Sequence, residues 1–526
     1  MLFLRRKNGR KIIGKLVLVG VLAIMGNLLG CKSNDSGKSK EQVLSDKELR
    51  VAGNEIAIGV DPTIYPAADY LLNMCAGEVL FKVDPKGVIR PYLAKEAKQL
   101  DDYTWQINLR PEAKFWSGDP VTAQAVINSL HRSQQLDLKA NPHVADITFT
   151  PEGTYVIKAV TKTPNLDVPM NLSNSQLLIH NTNPKYTYKD VATADYTGMY
   201  KIAEFKPAER MIFIRNENHW GEKPHIPKIL HEQVSDSDAR VMAALSGRYH
   251  VVMDIPQTAC NRFTKTSPSH VVLVPGAQTQ TIYLNSQKPS LQDYRVRQAL
   301  GWAMDRDELI LMGMEGKSEP VTTWLGSHPA FASVKKAFFD QCDIKKANKL
   351  LDEAGWKMSS DGYRYKDGKK LQFLLRTFRN DQALGETLQM QWKRIGVDVA
   401  VQHGDYGVIT TARKTGDWDG SIEAWGTYGN ITSLLKAQYA PNGAGNYGGY
   451  KDVKISELLE ELDKTTDRKA KKQLAEKIAV YMAEQSPALY ICPRPQISAV
   501  HNSLEGFVPH FRQYENVVNN KLRIKV

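Results

Sequence analysis

The sequence predicts an α/β fold with two or three core-bearing units, on three observations. First, at 526 residues the chain exceeds the roughly 250–300 residues at which one core stops growing. Second, the period of the apolar residues switches along the chain. Leu371–Thr377 reads as a strand, and Leu384, Leu388, Trp392 and Ile395 mark one helix stripe that Gly396 stops. Val397–Val401 then reads as the next strand. Strand, helix and strand within about thirty residues imply a right-handed crossover between parallel strands. Third, Thr281–Ile310 reads as a β-branched strand ending at Asn285, a Pro-containing turn, and a helix announced by Ser290 and Asp293. Val296, Ala299, Leu300, Ala303 and Met304 share one apolar face there. Asp305 and Glu308 form a second capping box, and Arg295, Arg297 and Arg306 fall on the other faces.

Composition places the chain among ordinary globular proteins, with 42% hydrophobic and 24% charged residues. The formal charge is +12, but Arg5, Arg6, Lys7, Arg10, Lys11 and Lys15 carry six of those charges, and no acid precedes Cys31. The +6 that remains is not interleaved with aromatics, which argues against nucleic-acid binding. The basic start leads into the apolar run Leu16–Leu29 and then Gly30-Cys31. Such a run is short for a membrane span and has the length of a signal-peptide core. Residues 32–47 are polar and rich in Ser and Lys, as a flexible tether would be. Cys75, Cys260, Cys342 and Cys492 are too widely spaced for a zinc motif, and their pairing stays open.

In chain order, Leu49–Gly59 reads as a short strand broken by Asp61-Pro62. A helical stretch follows, with Leu71, Leu72, Cys75, Val79 and Leu80 on one face. Tyr103–Arg110 alternates as a half-buried strand, Gly118-Asp119-Pro120 makes a turn, and Thr122 caps a helix running to His131. Tyr196–Ile202 and Met211–Gly221 bracket a charged hairpin near residues 206–210, and the lone loop residue His219 is expected in solvent. His231-Glu232 opens like a zinc-protease helix, but Ser235 stands where the second His belongs. Ile344–Ala354 reads as a helix stopped by Gly355.

Pro441–Tyr450 contains Gly443, Gly445 and Gly448, a formal GxGxxG. It lacks the strand before it and the helix directly after it, so a flexible loop at a cleft edge is expected instead of a dinucleotide site. Two amphipathic helices follow. Ile455, Leu458, Leu459 and Leu462 line one, and Leu474, Ile478, Tyr481 and Met482 line the other. Arg494 lies just beyond the strand-like Pro487–Ile491, where a guanidinium could meet an anionic ligand group. No Walker A or GxSxG pattern occurs, and no cofactor is implied.

Val296-Arg297-Gln298-Ala299-Leu300 followed by Ala303-Met304-Asp305-Arg306 resembles the signature segment of the extracytoplasmic solute-binding proteins of peptide/nickel ABC importers, bacterial extracellular solute-binding protein family 5. Pro91–Ala94, Tyr103–Ala123, Tyr196–Ile202, Met211–Gly221, Leu388–Val399, Trp425-Gly426 and Pro487–Ile491 extend the resemblance over nearly all of the chain after Lys47. It implies a two-lobed periplasmic-binding-protein-like fold (type II) with an extra third subdomain and a ligand cleft between the lobes. The expected divisions are a lipoprotein signal peptide at 1–30 and a tether at 31–47. Lobe I takes 48–77, 194–280 and 493–526, the subdomain 78–193, and lobe II 281–492.

Gly30-Cys31 is similar to a lipoprotein cleavage site, which makes Cys31 the lipid attachment point and the membrane a partner. Tyr65, Tyr70, Trp425 and Tyr428 are the cleft residues that the resemblance implies. Peptide-binding members carry an Asp shortly after that Trp. Here Thr427, Gly429 and Asn430 stand in its place, with no acid until Asp452, and the ligand is left open between a small peptide and a nickel chelate. The expected partners are ABC permease and ATPase subunits, with no nucleic acid, and the expected state is a monomer that is not an enzyme. The alternatives are an extracytoplasmic hydrolase and a structural or adhesive lipoprotein.

Overall fold

The computed structural model describes residues 45–525 other than 65, 138–139, 379–380, 405 and 513–516, without the side chains of 141–142. Cys31, the expected signal peptide, most of the tether and Tyr65 lie outside the described residues.

Ten strands form one sheet: β1 (Glu48–Gly53), β2 (Tyr200–Lys206), β3 (Arg210–Arg215), β4 (Lys228–Gln233), β5 (Val251–Val252), β6 (Ser269–Leu284), β7 (Gln372–Phe378), β8 (Asp398–Gly404), β9 (Gly420–Gly426) and β10 (Ala488–His501). Their order is β8-β7-β9-β6-β10-β5-β1-β4-β3-β2. On one side β5, β1 and β4 run parallel; on the other β7 runs parallel to both β8 and β9. The expected crossover between β7 and β8 is present, with Gly396 at φ 80° ending the helix between them. Only β6 and β10, 16 and 14 residues long, pass through both halves.

The helices used below are α1 (Ala67–Asn73), α2 (Ala123–Leu136), α3 (Tyr294–Trp302), α4 (Arg306–Met314), α5 (Gln382–Lys393), α6 (Ile431–Tyr439), α7 (Val453–Lys464) and α8 (Arg468–Gln485). Thr122 caps α2 as its sequence suggests, its Oγ1 accepting from the Ala125 amide at 3.2 Å. The stripe Val296, Ala299, Leu300, Ala303 and Met304 is at most 1% exposed. Each Leu-sized side chain buried this way contributes about 1.5–3 kcal/mol. Residues from Leu80 to Ile179 build a separate core under a four-stranded antiparallel sheet. The cores of the two lobes gather residues from both sides of that insertion and from Ile282 to Cys492.

Four expectations are corrected. The helix after Asp61-Pro62 ends at Asn73, and Cys75 takes φ 53°, so Leu71, Leu72, Cys75, Val79 and Leu80 are all buried without sharing one helix. The backbone turn at Cys75 is met by Gly198, where a Cβ would stand 2.2 Å from the Cys75 carbonyl oxygen. The Asp305–Glu308 capping box is only half formed. Asp305 accepts from the Glu308 amide at 3.0 Å, but its own amide donates to Gln391 Oε1 on α5.

Arg297 and Arg306, on faces other than that of the apolar stripe, are 3% and 6% exposed. His219 is not in solvent. Its side chain is 3% exposed with Nε2 3.1 Å from Glu78 Oε1, while Trp220 Nε1 donates to Glu78 Oε2 at 3.1 Å. Burial raises the Glu78 carboxyl, but the hydrogen bonds from His219 and Trp220 together with nearby positive charge outweigh it, leaving the group below the usual glutamate range. Fourth, the glycine-containing loop before α7 is held in place: Asn446 bonds the Ala440 and Tyr450 carbonyls and the Tyr450 amide.

Cys75, Cys260, Cys342 and Cys492 are free thiols, with Cys342 exposed. No helix among the described residues is long and apolar enough to cross a membrane.

Candidate functional site

The two halves of the sheet meet at a waist of two strands. β6 and β10 pair regularly from Ser269↔His501 to Pro275↔Pro495, and pairing resumes at Thr279↔Pro493. Gly276, Ala277 and Gln278 therefore bulge opposite the single residue Arg494, and Ile491 is the extra residue on the other strand. Bulges bend a strand and break its ladder. β9 joins β6 only from Gln278 onward, and β5 joins β10 only at Ala499 and Val500. Between those levels no third strand of the sheet pairs with them, and the bonds they make outside their own ladder, Ile255 N–H to Ile497 O and those of Ala277 to Phe511 and Thr427, come from loops.

The pairings also fix strand directions. β6 runs from lobe I to lobe II and is antiparallel to β10, which is antiparallel to β5. Thus β5, β1 and β4 aim their carboxyl ends at the waist. β9, antiparallel to β6, ends at Gly426 opposite Gln278, and β7 and β8 run with it. Ligands of open α/β sheets sit outside carboxyl ends of strands. Here the carboxyl ends of both lobes face the same place.

On the lobe I side, Tyr70 follows β1 on α1. It is 1% exposed, with its ring 5.9 Å from that of His231. It lines a 40 Å³ cavity with Met253, Asp254, Gln496 and Arg512. Asp254, just past β5, is held at φ 55°, a strained position for a non-glycine residue at the end of a strand.

On the lobe II side, Trp425 is half-buried at the end of β9, and its indole N–H donates to Tyr447 Oη at 2.9 Å. The Arg413 guanidinium lies 3.5 Å from the centre of the Tyr447 ring and bonds Glu423 at 2.6 Å. Glu423 and Trp425 are two residues apart and so share a face of the strand. Tyr428, in the turn after β9, has Arg512 over its ring at 4.7 Å. Arg512 also reaches Ser173 O and Met170 Sδ, so it joins the C-terminal segment, the 80–179 insertion and lobe II. Burial, with the Arg512 charge close by, pulls both His143 and His328 down to about 4, so both are neutral at pH 7.

The lobes touch beyond the waist. Asn430 Nδ2 donates to Asn165 Oδ1 at 3.1 Å, and Arg468 Nη2 donates to Leu166 O at 2.6 Å. This is a closed arrangement.

Of the residues expected from sequence, Tyr70, Trp425 and Tyr428 stand at the carboxyl ends facing the waist. Tyr65 lies outside the described residues. Arg494 is inside β10 and not beyond the strand, opposite the bulge. It makes no ion pair among the described residues and lines neither that cavity nor the one between the lobes described below; the cation standing on Tyr428 is Arg512. Asp452 is spent as the cap of α7 and as acceptor of the Tyr450 and Tyr481 hydroxyls. Sequence reasoning missed Arg512, Glu423 with Arg413, and Tyr447. Only Glu423 carried a signal, an acid two places before the cleft Trp.

Comparison with known proteins agrees with this geometry. The sequence model of "Bacterial extracellular solute-binding proteins, family 5 Middle" matches residues 88–446. The oligopeptide-binding protein AppA of Bacillus subtilis is 24% identical over 96% of this chain and 97% of its own length. The nickel-binding protein NikA of Staphylococcus aureus is 23% identical over 91% and 93%. Among solved structures, NikA from Brucella suis in complex with Fe(III)-EDTA superimposes with a TM-score of 0.82 at 22% identity, covering 91% of this chain and all of that one.

Proposed function

This chain belongs to the bacterial extracellular solute-binding proteins of family 5, and from that premise we propose that it captures a small peptide or a nickel chelate outside the cell and delivers it to the permease and ATPase of an ABC importer. The fold is the two-lobed α/β fold of that family, and the role is solute binding. The observation that carries the finer reading is the waist, where strand ends from both lobes converge across two strands that no third strand flanks. A hinge there lets the lobes close on a solute. Closure follows only if the closed form binds more tightly than the open one.

In this reading the residues expected to contact the solute stay those named from sequence, Tyr65, Tyr70, Trp425, Tyr428 and Arg494, with Tyr70, Trp425 and Tyr428 supported by their place at the waist. The aromatic faces of Trp425 and Tyr428 suit either a peptide or the organic part of a chelate. The boundaries are those expected from sequence: lobe I from 48–77, 194–280 and 493–526, the subdomain at 78–193, and lobe II at 281–492. Cleavage before Cys31 and its lipidation tether a monomer to the membrane. The solute leaves chemically unchanged.

A thermal-shift screen of the full chain with dipeptides, longer peptides, and nickel with and without L-histidine tests this. A solute at a hundred times its dissociation constant adds about 2.7 kcal/mol of stability. Trp425→Ala should remove most of the shift. A shift that survives Trp425→Ala intact puts the cleft elsewhere, and turnover of any solute ends the reading.

A further inference from the structure

A second cavity lies between the lobes, away from the waist, and holds buried polar groups with nothing to bond. Its volume is 140 Å³, and Asn171 from the insertion faces Thr432, Asp463 and Lys471 from α6, α7 and α8. Lys471 is 4% exposed, and its ammonium makes no hydrogen bond and no ion pair among the described residues. Asn171 and Thr432 are 4% and 7% exposed, and Asn171 Oδ1 and Thr432 Oγ1 have no partner among the described residues either. The acids nearby are engaged: Asp463 with Lys436, Asp167 with Arg468 at 3.5 Å, and Asp146 with Lys162 at 3.7 Å.

A buried ammonium with three donors and no acceptor is costly. Its place in the chain adds to the cost. Lys471 sits in the first turns of α8 beside Arg468 and Lys469, at the end of the helix dipole that disfavours cations. Burial pulls the Lys471 ammonium below the ordinary lysine range, against the nearby Asp167 and Asp463 charges. A local rule broken without local compensation marks a place where another requirement won. Asn430 and Asn165, both in the cavity lining, bond each other, and Arg468 bonds Leu166 O, so a group that fills the cavity lies between the insertion and lobe II. A cavity of about 150 Å³ holds a molecule the size of benzene, so a carboxylate and its neighbouring atoms fit.

We propose that this cavity is a carboxylate subsite, in which Lys471 and the Thr432 hydroxyl donate to a carboxylate of the bound solute and Asn171 Oδ1 accepts from an N–H beside it. The inference rests on the reading of the chain as a solute-binding protein and names one group of the solute. A carboxylate next to an N–H occurs at the C-terminus of a peptide and in an amino acid that chelates a metal.

The test compares the full chain with its Lys471→Met and Thr432→Val variants, using four probes: acetate, tri-alanine, tri-alanine amide, and nickel with L-histidine. Acetate should raise the melting temperature of the parent over an equal concentration of chloride, and should not raise that of Lys471→Met. Whichever full-size solute uses the subsite should bind Lys471→Met about tenfold or more weakly, and Thr432→Val about threefold more weakly. Loss confined to tri-alanine, with its amide unaffected, assigns a peptide terminus; loss confined to nickel–histidine assigns a chelating amino acid.

Equal acetate shifts in the parent and Lys471→Met, or no acetate shift in the parent, overturn the subsite. If neither full-size solute binds the parent, the proposed solute classes fail while the acetate arm still decides the subsite. Lys471→Met removes a buried charge and should melt at or above the parent. Should it fail to fold, Thr432→Val carries the same comparison.

Discussion

The carbonyl oxygen of Ala277 takes two hydrogen bonds from Thr427, one from the amide at 2.7 Å and one from the hydroxyl at 2.8 Å. The Ala277 amide meanwhile donates to Phe511 O at 3.0 Å. One residue of the bulge is thus tied through its carbonyl to a lobe II loop and through its amide to the C-terminal segment. Thr427 is fully buried, so Thr427→Val keeps the shape and the amide bond but loses the hydroxyl bond. The expected loss is about 1 kcal/mol, read as a lower urea midpoint with an unchanged slope.

A close approach explains why Gly276 occupies the bulge. A Cβ there would stand 2.2 Å from the backbone oxygen of Arg494, an atom that cannot swing aside as a flexible side chain can. Gly276→Ala must part the two waist strands, at a cost of about 1–3 kcal/mol. Denaturation should show that loss, and hydrogen exchange should show it concentrated in residues 271–281 and 491–499. Protection unchanged in both strands would mean that the waist is not where the chain yields.

Arg297 straps the signature helix α3 to the end of α8. Its guanidinium donates to the carbonyls of Leu291, Gln292, Gln485 and Ser486 at 2.7–3.1 Å. A lysine has a point charge in place of a planar fork and cannot reach all four. Arg297→Lys should therefore cost about 2–3 kcal/mol in chemical denaturation, from buried carbonyls left without donors. A loss within experimental error would return this arginine to the role of a surface charge.

His231 is fully buried, and burial holds it down to about 4. In the unfolded chain a histidine protonates near 6.5. As pH falls from 6.5 toward 4 the unfolded state binds the proton and the folded state does not, so stability falls across that window and levels off outside it. Each such histidine adds about 1.4 kcal/mol per pH unit to the slope. Urea midpoints between pH 7 and 4.5 should flatten by that amount in His231→Phe.

Much of the scaffold was legible because it is local. The stripe Val296–Met304, the stripe Leu384–Ile395 with its Gly396 stop, and the Thr122 cap all follow from spacing within one or two turns. The waist was not, because Pro275-Gly276 locally argues against a continuous strand; only pairing with β10, more than two hundred residues later, carries β6 through them. Nothing in the spacing marked Arg297 and Arg306 as buried, because the carbonyls of Gln485, Ser486 and Tyr490 that hold them lie almost two hundred residues away. Trp425 and Tyr428 were expected through a motif, whereas Arg512 and Lys471 belong to no pattern. Only the fold shows what is placed against them.

The central claim is that the two lobes close on a solute about the β6–β10 waist. Spin labels at Lys162→Cys and Lys464→Cys, in a Cys342→Ser background, report the distance between the insertion and lobe II across the Asn165–Asn430 contact. Without solute the distances should spread to longer values, and the solute that stabilises the chain in the thermal screen should gather them into one short population. A distance distribution that stays the same while the solute binds contradicts the account.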